Sequence, residues 1–107
     1  MTEVVIKESP PTWWVYFIAT NTNTLYCGIT NDVSRRFHQH QQGKGAKYLR
    51  GKQPLSLKWT LEVPNKQIAG RVEYRLKRLN RKTKCQIIAT IGSYEQLIQT
   101  FPDWITN

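Results

Sequence analysis

The chain has little acid, little sulfur and no long apolar run, and each shortage narrows what it can be. Of 107 residues, seven are Asp or Glu against sixteen Lys or Arg. Cys27 and Cys85 are the only cysteines. A lone pair in a chain expected to be intracellular reads as two reduced thiols rather than a disulfide framework. No Cys or His spacing matches a zinc site, and His38 and His40, two apart on a helix, point to different faces. No apolar stretch approaches a membrane span of about 20 residues. Lys7, Glu8, Ser9, Pro10 and Pro11 stand where a secretory leader would carry its apolar core. The expected location is therefore intracellular, cytoplasmic or nucleoid-associated, with no membrane partner.

What is present is positive charge gathered in one place. Residues 35–84 hold fifteen Lys or Arg and two acids. Residues 1–34 hold one Lys and three acids, and residues 85–107 hold two acids with no Lys or Arg. The formal net charge of +9 therefore arises wholly in the middle segment. Self-repulsion of that size is relieved most naturally by a polyanion, which points to nucleic acid as the partner of the segment from Arg35 to Lys84. A membrane surface would call for a strongly amphipathic terminal helix, which the sequence lacks.

The pattern along the chain predicts an α+β domain: a small three-stranded, mostly antiparallel sheet flanked by helices. Residues 1–12 read as a flexible N-terminal arm and residues 13–107 as a single domain. Trp13 to Thr20 and Leu25 to Thr30 are β-branched and aromatic, with a turn at Asn21-Thr22-Asn23-Thr24, so they read as a hairpin. Asp32 can cap a helix from Val33 that ends near Gly43. Gly43 to Lys47 reads as a flexible basic loop, extending through Tyr48 and Arg50 towards Pro54. Leu55, Leu57, Trp59 and Leu61 alternate with polar residues and predict a strand. Asn65 can cap a helix from Lys66 to Leu79, ended by Asn80, with Ile68, Val72, Leu76 and Leu79 as its stripe. A third helix is predicted over Arg81–Ala89 with Cys85, Ile88 and Ala89 inward. A last short one runs from Gly92-Ser93 to Thr100, where Pro102 breaks it and Trp104 and Ile105 fold back. Trp14 and Trp59 read as core.

Several residues stand out as a possible reaction centre. Tyr16 and Tyr26 lie on the two hairpin strands, and Gly28 marks a place of close backbone approach. Arg36 and His40 are four apart on one helix and share a face. Glu73, between Arg71 and Arg75, is the only acid between Glu62 and Glu95. It reads either as a neutraliser of nearby cations, Lys77 among them, or as an oxygen ligand for a divalent cation. Lys44, Lys47, Tyr48, Arg50 and Lys52 are suited to phosphate grip and base stacking. Arg75, Arg78, Arg81, Lys82 and Lys84 either extend that track or solvate the helices.

Val15-Tyr16-Phe17, Tyr26-Cys27-Gly28-Ile29-Thr30, Asp32-Val33-Ser34-Arg35-Arg36, His40 with Gly43 to Lys47, and Glu73-Tyr74-Arg75-Leu76-Lys77 occur in that order. Together they resemble the signature of the GIY-YIG nucleases, in particular the small stand-alone branch, over about residues 13 to 90. Trp14 replaces the first Gly and Cys27 replaces the second Ile, changes that the branch tolerates. The resemblance implies a metal-dependent endonuclease acting on phosphodiester bonds, on DNA rather than RNA, with Mg²⁺ or Mn²⁺ as cofactor. It implies Tyr16, Tyr26, Arg36, His40 and Glu73 as catalytic residues and Glu73 as metal ligand, while Arg35, at the head of the basic segment, is expected to bind the nucleic acid. Arg36 is preferred to Arg35 because it follows Tyr26 by ten residues, the family spacing. Nearby cations would ease ionisation of a tyrosine, preferentially Tyr16, to accept a proton from water, with Tyr26 orienting the water or phosphate. The alternative is a nucleic-acid-binding module on the same fold with little or no catalysis.

One geometric condition attaches to this reading. Tyr16 and Tyr26 share a sheet face only if the hairpin register is even, which needs an odd loop or a bulge. A three-residue loop of Asn21, Thr22 and Asn23, with Asn23 left-handed, meets the condition.

Overall fold

The computed structural model describes residues 12–105, so the arm expected over residues 1–12 falls, Thr12 apart, outside the described residues. β1 (Trp13–Ala19) and β2 (Leu25–Thr30) form the hairpin, and β3 (Ser56–Val63) completes an antiparallel sheet of order β2-β1-β3. The helices are α1 (Val33–Gln41), α2 (Lys66–Lys77), α3 (Arg81–Thr90) and α4 (Tyr94–Thr100). The architecture is the α+β arrangement that the sequence pattern predicts.

The hairpin meets its parity condition. Thr20 N–H donates to Thr24 O at 2.9 Å and Asn23 N–H donates to Thr20 O at 2.9 Å, leaving a three-residue loop. Asn23 takes φ 62°, the left-handed conformation that Asn tolerates. Tyr16 then lies opposite Gly28 and Ile18 opposite Tyr26. The two tyrosines are diagonal neighbours on one face.

The sheet buries both faces. Val15, Phe17 and Leu61 pack in one core with Val72 and Leu76 of α2 and Leu97 of α4. Tyr16, Ile18, Leu49 and Leu55 pack on the other face with Phe37 of α1. Trp59 belongs to the first core, its Nε1–H donating to Ile91 O at 2.7 Å. Trp14 does not: it is half-buried on the α1 face, beside Val33 and Leu57. Leu57 also departs from the expected alternation. A register shift between Phe17 and Ile18 pairs Phe17 with Trp59 but Ile18 with Leu57, so Leu57 turns to the opposite face and is 38% exposed.

Three further expectations are corrected. α2 ends at Lys77, not Leu79, and Asn80 opens α3 by accepting Thr83 N–H at 2.9 Å. On α3 the buried residues are Ile87 and, just after it, Ile91, while Cys85 and Ala89 are exposed. Each stands two residues from Ile87, a little over half a helical turn away. The segment after Gly43 is ordered. It contains a 3₁₀ turn over Lys47–Leu49 whose Leu49 is fully buried. The Gln41 side chain holds both Leu55 N–H (3.1 Å) and Leu55 O (3.3 Å). Asn21 N–H donates to Lys52 O at 2.9 Å, tying the segment to the hairpin loop. A buried anchor and these bonds offset the flexibility that glycines and lysines suggest.

Candidate active site

Tyr16, Tyr26 and His40 meet on the α1 face of the hairpin. Ring centroids are 6.4 Å apart for the tyrosines, and 5.9 and 5.8 Å from His40 to Tyr16 and Tyr26. β1 delivers Tyr16 and the last turn of α1 delivers His40, both almost fully enclosed. The Tyr16 hydroxyl lies 2.8 Å from His40 Nε2, and Ala46 N–H donates to His40 Nδ1 at 3.1 Å. A backbone donor at Nδ1 leaves the proton of neutral imidazole on Nε2. His40 therefore donates to the Tyr16 oxygen and is not placed to take that hydroxyl's proton.

Two glycines make this packing feasible. A Cβ on Gly45 would run into His40 Nδ1 and stand 2.8 Å from Cε1. A Cβ on Gly28 would run into the Tyr16 hydroxyl and stand 2.6 Å from Cζ. The close approach expected at Gly28 is thus made by Tyr16 itself.

Burial pushes the His40 pKa down to about 4, helped by the Arg36 charge. The folded state therefore binds fewer protons than the unfolded state below about pH 6.5. Stability is full above that pH and declines as pH falls towards 4. The expected loss is on the order of 2–3 kcal/mol, because protonating Nδ1 breaks the bond from Ala46. Thermal melts of wild type and His40→Gln between pH 7 and 4 check this. A wild-type acid slope no steeper than the variant's would contradict it.

Arg36, on α1, donates from Nη1 to Gln39 Oε1 at 3.1 Å. Its guanidinium is close enough to oppose ionisation of His40 and to favour that of both tyrosines. Arg35 and Arg36 line a depression of about 220 Å³ with Thr30 and Asp32. Burial nevertheless dominates at both tyrosines. It pushes the Tyr16 and Tyr26 hydroxyls above the ordinary phenol range; Arg36 at Tyr16, and Lys77 then Arg36 at Tyr26, only reduce the rise. The expectation that surrounding cations ease their ionisation does not hold in the free protein, because desolvation outweighs charge. Cys27 is likewise pushed up to about 12 by burial, so its thiol stays protonated.

Glu73 stands on α2, pairs with Lys77 at 3.2 Å, and its charge reaches Tyr26 and Cys27. Tyr48 stacks on Tyr26 with centroids 5.9 Å apart, and Lys52 Nζ sits 3.4 Å from the centre of its ring. Lys44, Lys47 and Arg50 are exposed on the same segment. Arg81 Nη1–H donates to Asn23 O, so it braces the hairpin loop.

Comparison with known proteins bears directly on this geometry. The GIY-YIG catalytic domain family matches residues 12–86. The chain belongs to the GIY-YIG family. A UPF0213 protein of Vibrio cholerae is 50% identical over 93 residues, covering 86% of this chain and 92% of that one. The UPF0213 protein YhbQ of Salmonella arizonae is 44% identical over 88 residues, covering 82% and 88%. The solution NMR structure of a UPF0213 protein from Bacillus halodurans superposes with a TM-score of 0.51 at 37% identity, covering 84% of this chain and 96% of that one. The family is one of nucleases, and GIY-YIG nucleases generally use divalent metals.

Within the GIY-YIG frame the structure brings Tyr16, Tyr26, His40 and Arg36 together, and the charge of Glu73 on α2 reaches Tyr26. Among the described residues no three His, Cys, Asp or Glu converge as a metal cluster. A single carboxylate still fits Mg²⁺ or Mn²⁺ of the kind that keeps several waters and relies on substrate phosphates. Glu73 is the residue that would hold it. No helix among the described residues is long and apolar enough to cross a membrane. Sequence reasoning places Gly45 and Ala46 in the signature but misses their contacts with His40: Ala46 N–H sets its tautomer and Gly45 leaves room for its ring. The one available signal was the Gly43-Lys44-Gly45 spacing shortly after His40.

Proposed function

We propose that this protein is a divalent-metal-dependent endonuclease that hydrolyses phosphodiester bonds in DNA, selecting by structure or weakly by sequence. The observation that carries the reading is the Tyr16–His40–Tyr26 cluster of a GIY-YIG chain, with Tyr16 and His40 buried, Tyr26 half-buried and Arg36 at its border. In this reading Tyr16 is the general base. After its own proton is lost to solvent, the phenolate receives the His40 Nε2–H bond and the Arg36 charge, and it takes a proton from the attacking water. Arg36 then stabilises the charge that accumulates on phosphorus oxygens. Tyr26 orients the water or the phosphate. A Mg²⁺ or Mn²⁺ on Glu73, when bound, supplies polarisation of a phosphate oxygen and stabilisation of the leaving group. Arg35, Lys44, Lys47, Arg50 and Lys52 hold the strand, with Tyr48 offering an aromatic surface. The protein is expected to work as residues 13–107 in one domain, in the cytoplasm or with the nucleoid.

A second reading, a binding module without catalysis, is favoured by the burial that holds both phenols above their ordinary pKa and by the engagement of Glu73 with Lys77 in the free protein. Both readings give salt-sensitive binding. Purified protein incubated with DNA and with RNA in Mg²⁺, in Mn²⁺ and in EDTA separates them. The nuclease reading expects cuts in DNA that chelation abolishes. Tight, salt-sensitive binding with no cuts in either metal leaves the binding module.

A further inference from the structure

Among the described residues Glu73–Lys77 is the one ion pair, although the surrounding segment is crowded with cations. The pair is one helical turn apart on α2, with Lys77 51% and Glu73 23% exposed. Lys77 also lines a depression of about 290 Å³ with Leu25, Tyr26, Cys27, Tyr48 and Lys84. That depression opens beside β2, an edge strand of the sheet. Lys77 thus borders both the carboxylate and an aromatic-floored hollow that already holds a second lysine.

We infer that Lys77 is a resident counter-cation with two stations: the Glu73 carboxylate while the site is empty, and a backbone phosphate of the nucleic acid, shared with Lys84, when a divalent cation is on Glu73. The inference rests on Glu73 as the metal ligand. An ammonium 3.2 Å from that carboxylate competes with a dication for the same oxygens and repels it. Lys77 must therefore leave when the metal is held, and its flexible stem lets it swing without moving α2. Two ammonium groups at one hollow repel each other unless an anion joins them. The phosphate of a bound strand has the right charge and can accept from both. Lys77 then makes metal and nucleic acid favour each other's binding, since each relieves what the other leaves unpaired.

Mn²⁺ binding to the intact, nucleic-acid-free protein, read from the EPR signal of free Mn²⁺, tests the first station. Lys77→Met is expected to tighten binding about three- to tenfold through loss of the competing charge, Lys77→Arg to stay near wild type, and Glu73→Gln to lose the site. Oligonucleotide affinity against salt tests the second station, with Mn²⁺ present and cleavage blocked by Tyr16→Phe. Adding Lys77→Met should make the slope shallower by roughly 0.7–0.9, the worth of one phosphate contact. Equal Mn²⁺ affinity in wild type and Lys77→Met, with Glu73→Gln weaker, overturns the role of Lys77 and leaves the metal ligand standing. Equal affinity in wild type and Glu73→Gln overturns both. An unchanged salt slope removes the phosphate station.

Discussion

Tyr16→Phe is expected to lower DNA cleavage by about 10²–10⁴-fold while the protein stays folded. The substitution removes one oxygen, and that oxygen sits 2.8 Å from His40 Nε2 in a closed cluster. It leaves the Nε2–H without an acceptor, a cost of about 1–3 kcal/mol for a buried donor. A lower melting temperature is therefore part of the expectation and has to be separated from the chemistry. Assaying cleavage well below the variant's melting temperature, with thermal melts run alongside, does this: fully folded Tyr16→Phe should still cut poorly. The pH profile gives an independent reading. A base works deprotonated, and burial holds the Tyr16 pKa above its ordinary value. The wild-type rate should therefore rise with pH through the range from about 6 to 9, near tenfold per unit, and the residual rate of Tyr16→Phe should lack that rise. If Tyr26→Phe loses the slope and Tyr16→Phe keeps it, the two tyrosines exchange roles.

The hairpin shows how far residue order alone reaches. Placing Tyr16 and Tyr26 on one face calls for an odd loop or a bulge; a three-residue loop with Asn23 at positive φ meets that condition, and that loop is present. Helix starts were equally legible, because Asp32, Asn65 and Ser93 each cap through their own side chain. What escaped depends on contacts distant in sequence. Leu57 keeps the apolar alternation of β3, yet a register shift against β1 turns it over. Gly43 to Lys52 has the composition of a mobile loop, and it is held by Leu49 beneath and Asn21 beside it. The tyrosine pKa values escape the sequence for the same reason. The cations are visible in the sequence, whereas the burial that outweighs them arises only when α1 and the 3₁₀ turn close over the sheet.

Glu73→Gln should also reduce cleavage, by at least about 10²-fold in either metal, with little change in folding. Gln preserves the shape and one oxygen but loses the charge that a hard dication requires. Among the described residues the ion pair disturbed is the one with Lys77, partly exposed and one turn apart, worth about 0.3–0.5 kcal/mol. Activity and stability should therefore separate more cleanly here than at Tyr16. The metal dependence sharpens the expectation. If Glu73 is the protein's one carboxylate on the ion, raising Mn²⁺ should recover part of the lost rate in Glu73→Gln, because substrate phosphates and water still offer oxygens. It should recover none in Tyr16→Phe, whose defect is in proton transfer. Initial rates across a Mn²⁺ series for the two variants measure the difference. A Glu73→Gln enzyme that cuts at the wild-type rate across that series would remove Glu73 from the reaction, and the carboxylate would then be only the counter-ion of Lys77.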